Sequence, residues 1–508
     1  MKTEFSFIRG VSTDLLSATA PAMRPLWLLL LMLATLAQAQ DFTYTTNNGA
    51  ITITGYKCAG GAVVLPSTVN AMMVTAIGPG AFATCTNLTS VTIPNTVTNI
   101  GEAAFRQCAS LTSFTIPASL TSIGQHTFQD CTSLTNVAIP DSVTNIESYA
   151  FAGCTSLSKL AIPASVFIIG EAAFGSCFSL SEATIPDSVT NIGDYTFVFC
   201  TGLATISIGS GVTGIPQHAF EGCNSLESVT IPDNVSTIGQ HAFDGCTSLA
   251  EVTIGKGVTT IGDDAFDFCW SLRSLTMPTS VTSIGSWAFA FCFSLKDVRI
   301  GNSVTNIGEA AFYSCTNVNS LTIPDSVIEI GNSAFSGCNL VSVEIPKRLG
   351  RIGQETFAGC ASLHTLKIPA SVTNIGAGAF AYCRKLTSVF FESEAPSLGA
   401  SPFEADDNTT VYYLPGVKGW ASTFGGLPTA LWRPQAQTSD PTFGVRTNQF
   451  GFTISWASDK VIIVEATADL AHPAWAPVST NTLTGGSSYF SDPQWTNSPS
   501  RFYRLRSQ

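Results

Sequence analysis

Phe-x-x-Cys recurs fourteen times in this chain at a fixed step, and no other feature constrains the fold as tightly. The pairs run from Phe82/Cys85 and Phe105/Cys108 to Phe380/Cys383, 23 residues apart except for one step of 22 between Phe335 and Phe357. A fixed period in this range is the signature of stacked supersecondary units. The consensus unit reads L-x-x-V-x-I-P-x-S-V-T-x-I-G-x-x-A-F-x-x-C-x-x. Its first segment alternates as a short strand, with Val91 and Ile93 facing in and Ser90 and Thr92 facing out. Pro94 ends the strand by removing a backbone donor. Val97, Ile100, Phe105 and Cys108 then return inward anchors, and Gly101 permits the turn between them. A unit this short buries no core alone, whereas stacked units do, so the product is a repeat solenoid.

The repeat explains an odd composition. Only 11% of the 508 residues are charged while 45% are apolar, against about 25% charged in ordinary chains. Fourteen of the 33 Phe and fourteen of the 15 Cys belong to the register pair. A core renewed every coil supplies the apolar excess, and Ser, Thr and Asn replace charge on the exterior. Length alone suggests several domains; one continuous core takes their place. At about one strand spacing per coil, fourteen coils span roughly 65–70 Å. The net charge of −12 excludes a nucleic-acid binder, because phosphate neutralisation needs Lys/Arg patches.

The pattern L-x-x-L-x-I-P with A-F-x-x-C at this period resembles the BspA-type leucine-rich repeat of bacterial surface proteins. The resemblance covers roughly residues 55–415, with a lead-in from Thr54–Cys58 to Ile77–Gly78 that looks like an opening coil. It implies a leucine-rich-repeat right-handed β-solenoid with one parallel strand per coil, a role in adhesion or surface recognition, and no catalysis. The shortened Cys338-Asn339-Leu340 connection departs from the pattern and is expected to leave a small kink.

Fifteen Cys in an exported chain would ordinarily suggest disulfides. Here the register places one at the same inward position in every coil, which favours a ladder of buried thiols; disulfides between adjacent coils remain the alternative. Cys58, in the lead-in, makes the total odd. A linear ladder does not converge on zinc. The register Phe residues should stack as a spine.

Two surfaces could meet a partner. The outward strand position runs from Thr92 to Thr322 as a hydroxyl-rich strip, including Thr230, Thr253 and Thr276 and broken by one charge, Arg299. Such Thr suits strands regardless of function; the strip could equally be a flat polar surface for a glycan or protein, or a surface matched to ice. The second surface is aromatic. Phe199, Phe268 and Phe291 immediately precede Cys, Phe178, Trp270 and Phe293 immediately follow it, and Trp287 lies nearby. Phe268/Phe291 and Trp270/Phe293 should form stacked pairs about 5 Å apart. The repeat requires none of these rings, which marks an interaction patch; alternatively they fold over the convex side and thicken the core.

No catalytic set or cofactor motif stands out. His126, His218, His241, His364 and His472 are scattered; His218 and His241 share a register position, but a pair without a third ligand makes no metal site. Asp141, Asp187, Asp233 and Asp325 follow Pro, where Asp suits a turn through local hydrogen bonds. Phosphate loops and nucleophile elbows are absent.

The ends differ from the middle. Arg24-Pro25 precedes an apolar run of 12 residues, 26–37, and Ala37-Gln38-Ala39 follows, as in a secretory signal cleaved after Ala39. The run falls short of the ~20 residues of a membrane span, although a retained anchor is the competing possibility. Translation starting at Met23 would give a better signal than residues 1–22 allow. Residues 1–39 hold three basic and two acidic residues, so their removal takes the net charge from −12 to −13. No later apolar run reaches membrane length.

The chain therefore divides into a signal peptide (1–39), an N-terminal lead-in (40–80), a solenoid of 14 register repeats (81–389), a closing cap (390–433), a linker (434–441) and a small antiparallel β-sandwich-like module (442–508). That module alternates through Phe450–Trp456 and Val461–Glu465 and resembles fibronectin-type-III-like modules of exported bacterial proteins. The whole is expected to be a secreted or cell-surface protein that binds an extracellular protein or glycan non-covalently, with no enzyme activity and no cofactor. The alternative is a structural envelope scaffold or enzyme-associated module attached through its C-terminal β module. The sequence leaves the oligomeric state open.

Overall fold

The computed structural model describes residues 41–497 and 500–508; the expected signal peptide and its cleavage site lie outside the described residues. The described chain is a parallel β-solenoid of about 16 turns with small antiparallel sheets at its C-terminal end.

Each coil has three sides. The first carries a strand of three to five residues, such as Ser113–Thr115, paired in parallel with Asn136–Ala138 of the next coil. Pro closes that strand, and a two-residue strand such as Ser122–Ile123 follows on the second side, again paired in parallel with its neighbour. The third side has no strand, yet its backbone is paired between coils as well. Phe82 N–H donates to the Ala104 carbonyl (2.8 Å), Phe105 to Thr127 (2.9 Å) and Phe128 to Ala150 (2.8 Å). With all three sides hydrogen-bonded along the axis, the backbone polar groups of a 23-residue coil are satisfied without a helix.

The core is a column of rings. From Phe82 to Phe403, successive register Phe rings stack 4.9–5.7 Å apart with planes within 2–19°. The column continues through the 22-residue step, where Phe335 and Phe357 stack at 5.5 Å. The expected kink is therefore absent from the spine. The missing residue comes out of the connection between Cys338 and the buried Leu340, where a loop absorbs it.

Gly101 serves a different purpose from the one its place in the sequence suggests. Its φ is not left-handed, but a Cβ there would lie 2.6 Å from the Pro79 nitrogen of the preceding coil. Close approach between coils, rather than the turn, excludes a side chain. The Asp after Pro also acts between coils: Asp187 Oδ1 accepts from Ser210 N–H (2.7 Å) and Asp233 Oδ1 from Lys256 N–H (2.9 Å), each in the next coil.

The cysteines follow both readings. Thirteen are free and buried, each offering its thiol to the Phe carbonyl of the previous coil, as Cys108 Sγ does to Phe82 O (3.1 Å) and Cys131 Sγ to Phe105 O (3.1 Å). The fourteenth register residue, Cys85, departs from the ladder and forms a disulfide with Cys58. Cys85 has no earlier coil with a register Phe to bond to, and the lead-in brings Cys58 alongside it instead. The N-terminal end is closed by the hairpin Phe42–Asn47/Ala50–Tyr56, whose Tyr56 ring covers Phe82 at 5.2 Å.

At the other end the solenoid runs past residue 389. Strands Ser388–Phe391, Thr410–Tyr413 and Leu427–Leu431 extend the parallel sheet, and Phe403 extends the spine. Thr423–Phe424 then turns back antiparallel on Leu427–Leu431 and closes the end. The stretch expected to be a linker contains the strand Gln435–Gln437, paired antiparallel with Gln449–Ser455. Its polar residues read as a linker because an edge strand needs little apolar surface. The C-terminal module has a four-stranded and a three-stranded antiparallel sheet enclosing Phe452, Ile454, Ile462, Val464 and Phe490. Leu414 and Trp432 of the solenoid's end belong to the same apolar cluster, with Phe390 and Tyr412 packed against it.

Candidate binding surface

The strand face presents its outward residues in register. Thr230 pairs with Thr253 and Thr276 with Arg299, and all four are exposed. The row changes character towards the C-terminal end, where Glu344, Lys367, Phe390 and Tyr412 continue it. There the C-terminal module covers the face: Phe390 stacks on Tyr412 (5.0 Å) and lies against Trp432 (4.8 Å), while Lys367 Nζ sits 5.8 Å from the Trp432 ring.

The turn face carries the aromatic residues. Phe178, Phe199, Phe268, Trp270 and Phe293 are 39–48% exposed, and Phe291 and Trp287 are partly buried. None is part of the continuous core. Five rings are linked. Phe268 stacks on Phe291 at 4.7 Å, and Phe291 meets Phe293 (6.0 Å), Trp287 (6.3 Å) and Tyr313 (5.4 Å). The expected Trp270/Phe293 stack does not form; Phe293 turns its edge to Phe291 instead, at 67° between planes. No ring contact joins Phe178 or Phe199 to this cluster among the described residues. Tyr313, one residue after the register Phe312, escaped notice because one Tyr at that position breaks no pattern.

Backbone conformation sharpens the contrast with the core. The residue before Cys is left-handed in every coil, and elsewhere it is commonly Gly, as at 153, 222, 245, 337 and 359. Phe199 (φ 56°), Phe268 (φ 53°), Phe291 (φ 54°) and Tyr382 (φ 64°) hold it despite their bulk. For such residues this conformation costs about 1–2 kcal/mol. The recurrent Gly at this position is the sequence sign of a positive φ, while the demand itself is set by the pairing between coils.

A file of polar and aromatic groups runs beside the cluster. Tyr195, His218 and His241 stack ring on ring at 4.4 and 4.7 Å. His218 Nδ1 meets Glu221 at 2.6 Å, and His241 lies between Asp244 (3.1 Å) and Asp264 (3.7 Å). Burial pushes the Asp244 and Asp264 carboxyls above the ordinary range. On the short-strand side a separate polar groove of about 710 Å³ is lined by Asp263, Glu309, Glu329 and Arg351 among others. No group of three or more His, Cys, Asp or Glu side chains among the described residues is arranged to hold a metal ion.

The BspA-type leucine-rich repeat region model matches six copies, over residues 62–180, 167–296 and 282–410. The chain belongs to the BspA-type leucine-rich repeat family. A leucine-rich repeat protein from Bacteroides ovatus is similar in structure, with 27% identity and a TM-score of 0.58 over 74% of this chain and 98% of that one. A leucine-rich cell surface protein from Faecalibacterium prausnitzii shares 26% identity over 73% of this chain and 93% of its own, at a TM-score of 0.33. The leucine-rich repeat protein of T. pallidum shares 29% over 46% of this chain and 89% of its own, at 0.31. No curated protein matches this chain. The family match ends at residue 410 and does not confirm a fibronectin-type-III-like character for the C-terminal module. No catalytic family is indicated, and no helix among the described residues is long and apolar enough to cross a membrane.

Proposed function

We propose that this chain is an exported, surface-displayed binding protein without catalytic activity, and that its turn-face aromatic patch is the contact surface. The observation that carries this is the placement of Phe199, Phe268 and Phe291. Each ring stands on a left-handed residue and lies outside the continuous core, a placement that display to a partner explains. The signal-like run at residues 26–39 supports export, and membership of a surface-protein repeat family supports display. A protein or glycan outside the cell is the partner class. The hydroxyl strip through Thr230, Thr253, Thr276 and Arg299 is the secondary candidate. The competing role is a passive scaffold held by its C-terminal module.

The test is a matrix-protein and glycan array probed with the labelled mature chain and with its Trp270→Ser/Phe293→Ser variant. We expect the variant to lose at least about tenfold in signal for the retained partner, with an unchanged melting temperature. Full binding by the variant would remove these rings from the contact surface, and a large fall in its melting temperature would make them structural.

A further inference from the structure

One stretch of the turn face carries groups that neither the core nor the ring cluster explains. At the position before Cys, Phe199 is followed in successive coils by Gly222, Gly245 and Phe268. Both glycines are left-handed (φ 68° and 69°), and the Phe199 ring leans over Gly222, where a Cβ would collide with it. The result is a glycine-floored notch. The Phe199 ring covers Gly222 and walls one side, Gly245 is the open floor, and the Phe268–Phe291 stack walls the other side, about two coil steps or roughly 10 Å from the coil of Gly222.

Along one edge of the notch, the position after the register Phe holds a carboxylate in three consecutive coils: Glu221, Asp244 and Asp267. Asp264 stands beside them. Like charges at coil spacing repel one another, and only the imidazoles of His218 and His241 answer these. Among the described residues, no Lys or Arg nitrogen lies within 4.0 Å of any of the four. The nearest basic residues in sequence, Lys256 and Arg273, flank strands of the strand face: Lys256 follows Glu251–Thr253 and Arg273 precedes Ser274–Thr276. Asp267 is only 7% exposed and accepts one bond, from the Phe268 N–H at 2.9 Å. Burial, with the charges of Asp244 and Asp264, pushes its carboxyl up to about 7.

We propose that this notch receives Lys or Arg side chains from a basic segment of a partner protein, with Glu221 and Asp244 as counter-charge, the buried Asp267 ionising behind them as a cation arrives, and the Phe199 and Phe268 faces against the cation and its stem. A cation held between aromatic faces gains from the ring quadrupoles, and a negative strip draws in a basic partner. The molecule supplies its own comparison. Gly337 and Gly359 followed by Tyr382 repeat the glycine floor and aromatic wall, but Ser336, Ala358 and Ala381 stand where the carboxylates would be. A neutral glycan would use the rings and gain nothing from a row of carboxylates that no Lys or Arg of this chain faces. The inference rests on the turn face being the binding surface.

The experiment is fluorescence anisotropy on the full mature chain with three probes: a short Lys/Arg-rich peptide, its Asp/Glu-rich counterpart and a neutral chitin oligosaccharide. Variants are Asp244→Asn/Asp267→Asn, Phe268→Ser/Phe291→Ser and, as a charge-matched control on the strand face, Glu182→Gln/Glu251→Gln. Melting temperatures are recorded for each. The basic peptide should bind, weaken at least about tenfold when ionic strength rises from about 0.05 to 0.3 M, weaken about tenfold in the first two variants, and bind the control unchanged. Equal loss in the control, or full binding by Asp244→Asn/Asp267→Asn, overturns the notch. Oligosaccharide binding that needs Phe268 and Phe291, without peptide binding, overturns the cationic partner and leaves the surface standing. Binding of no probe in a manner that depends on Phe268 and Phe291 counts against both.

Discussion

Asp406 stands 23 residues beyond Cys383, in the register position that a thiol holds in every coil before it. It is 2% exposed, and neither carboxylate oxygen has a hydrogen-bond partner. Burial, with the charge of Asp407 added, pushes its carboxyl up to about 7. The folded state therefore holds this proton more tightly than the unfolded chain does. The favourable contribution is complete below the ordinary carboxylate pKa of about 4 and is lost as pH rises towards 7. A Cys at 406 would stay neutral across this range and would face the Phe380 carbonyl, as its register mates face theirs. Asp406→Cys is thus expected to raise stability by about 1–3 kcal/mol at pH 8 and by much less at pH 4. Thermal melts at the two pH values check this; a gain independent of pH would mean that the carboxyl is not buried in its charged form.

At the scale of the element, one coil states its own fold. Pro94, Gly101, Phe105 and Cys108 recur because each answers a demand that every coil makes: a strand end, a close approach, a spine ring and a donor for the neighbouring carbonyl. The strand end, the spine ring and the buried thiol were legible in the sequence, down to the inward and outward residues of the strand, whereas the close approach at Gly101 and the thiol's bond to the neighbouring carbonyl depend on contact between coils and were not. Cys85 and Cys58 were not, because a register argument treats all coils as equivalent and the first one has no predecessor. Burial raises the thiols of Cys154, Cys246 and Cys292 well above their ordinary range, and the whole ladder is closed to solvent, so its members are poor nucleophiles in the folded state. Mass spectrometry after iodoacetamide treatment should find no modification of the native protein, thirteen alkylated Cys once it is unfolded, and fifteen when reductant is added. Alkylation of the native ladder, or fewer than thirteen free thiols after unfolding, would contradict this arrangement. The residues at positive φ were half visible: the recurrent Gly before Cys is their sequence sign, and Phe268 and Phe291 stood out as unneeded aromatics, but the demand itself arises from hydrogen bonds to the next coil.

For the whole molecule, nearest-neighbour stacking makes one continuous core out of many weak units, and the C-terminal module extends that logic. Phe390 and Tyr412 sit at outward strand positions where earlier coils have Thr, and the module's apolar cluster packs on them. Aromatic residues at 390–413 read as a closing cap in the sequence, and Phe390 and Tyr412 also form the floor on which the C-terminal apolar cluster packs. What distinguishes the molecule is that it keeps two populations of aromatic rings, one stacked along the axis and one displayed on the turn face. A change in either is felt by the same cooperative unit, so a single thermal unfolding experiment compares them most directly. Phe266→Ala removes a fully buried spine ring and should cost about 3–5 kcal/mol. Phe268→Gly/Phe291→Gly, two residues from the spine, should cost well below that figure, because relief of about 1–2 kcal/mol at each of the two left-handed residues offsets most of the lost ring contacts, each worth about 0.5–1.5 kcal/mol. Destabilisation by the glycine pair as large as that from Phe266→Ala would show that these rings belong to the core and would remove the basis for a binding surface on this face.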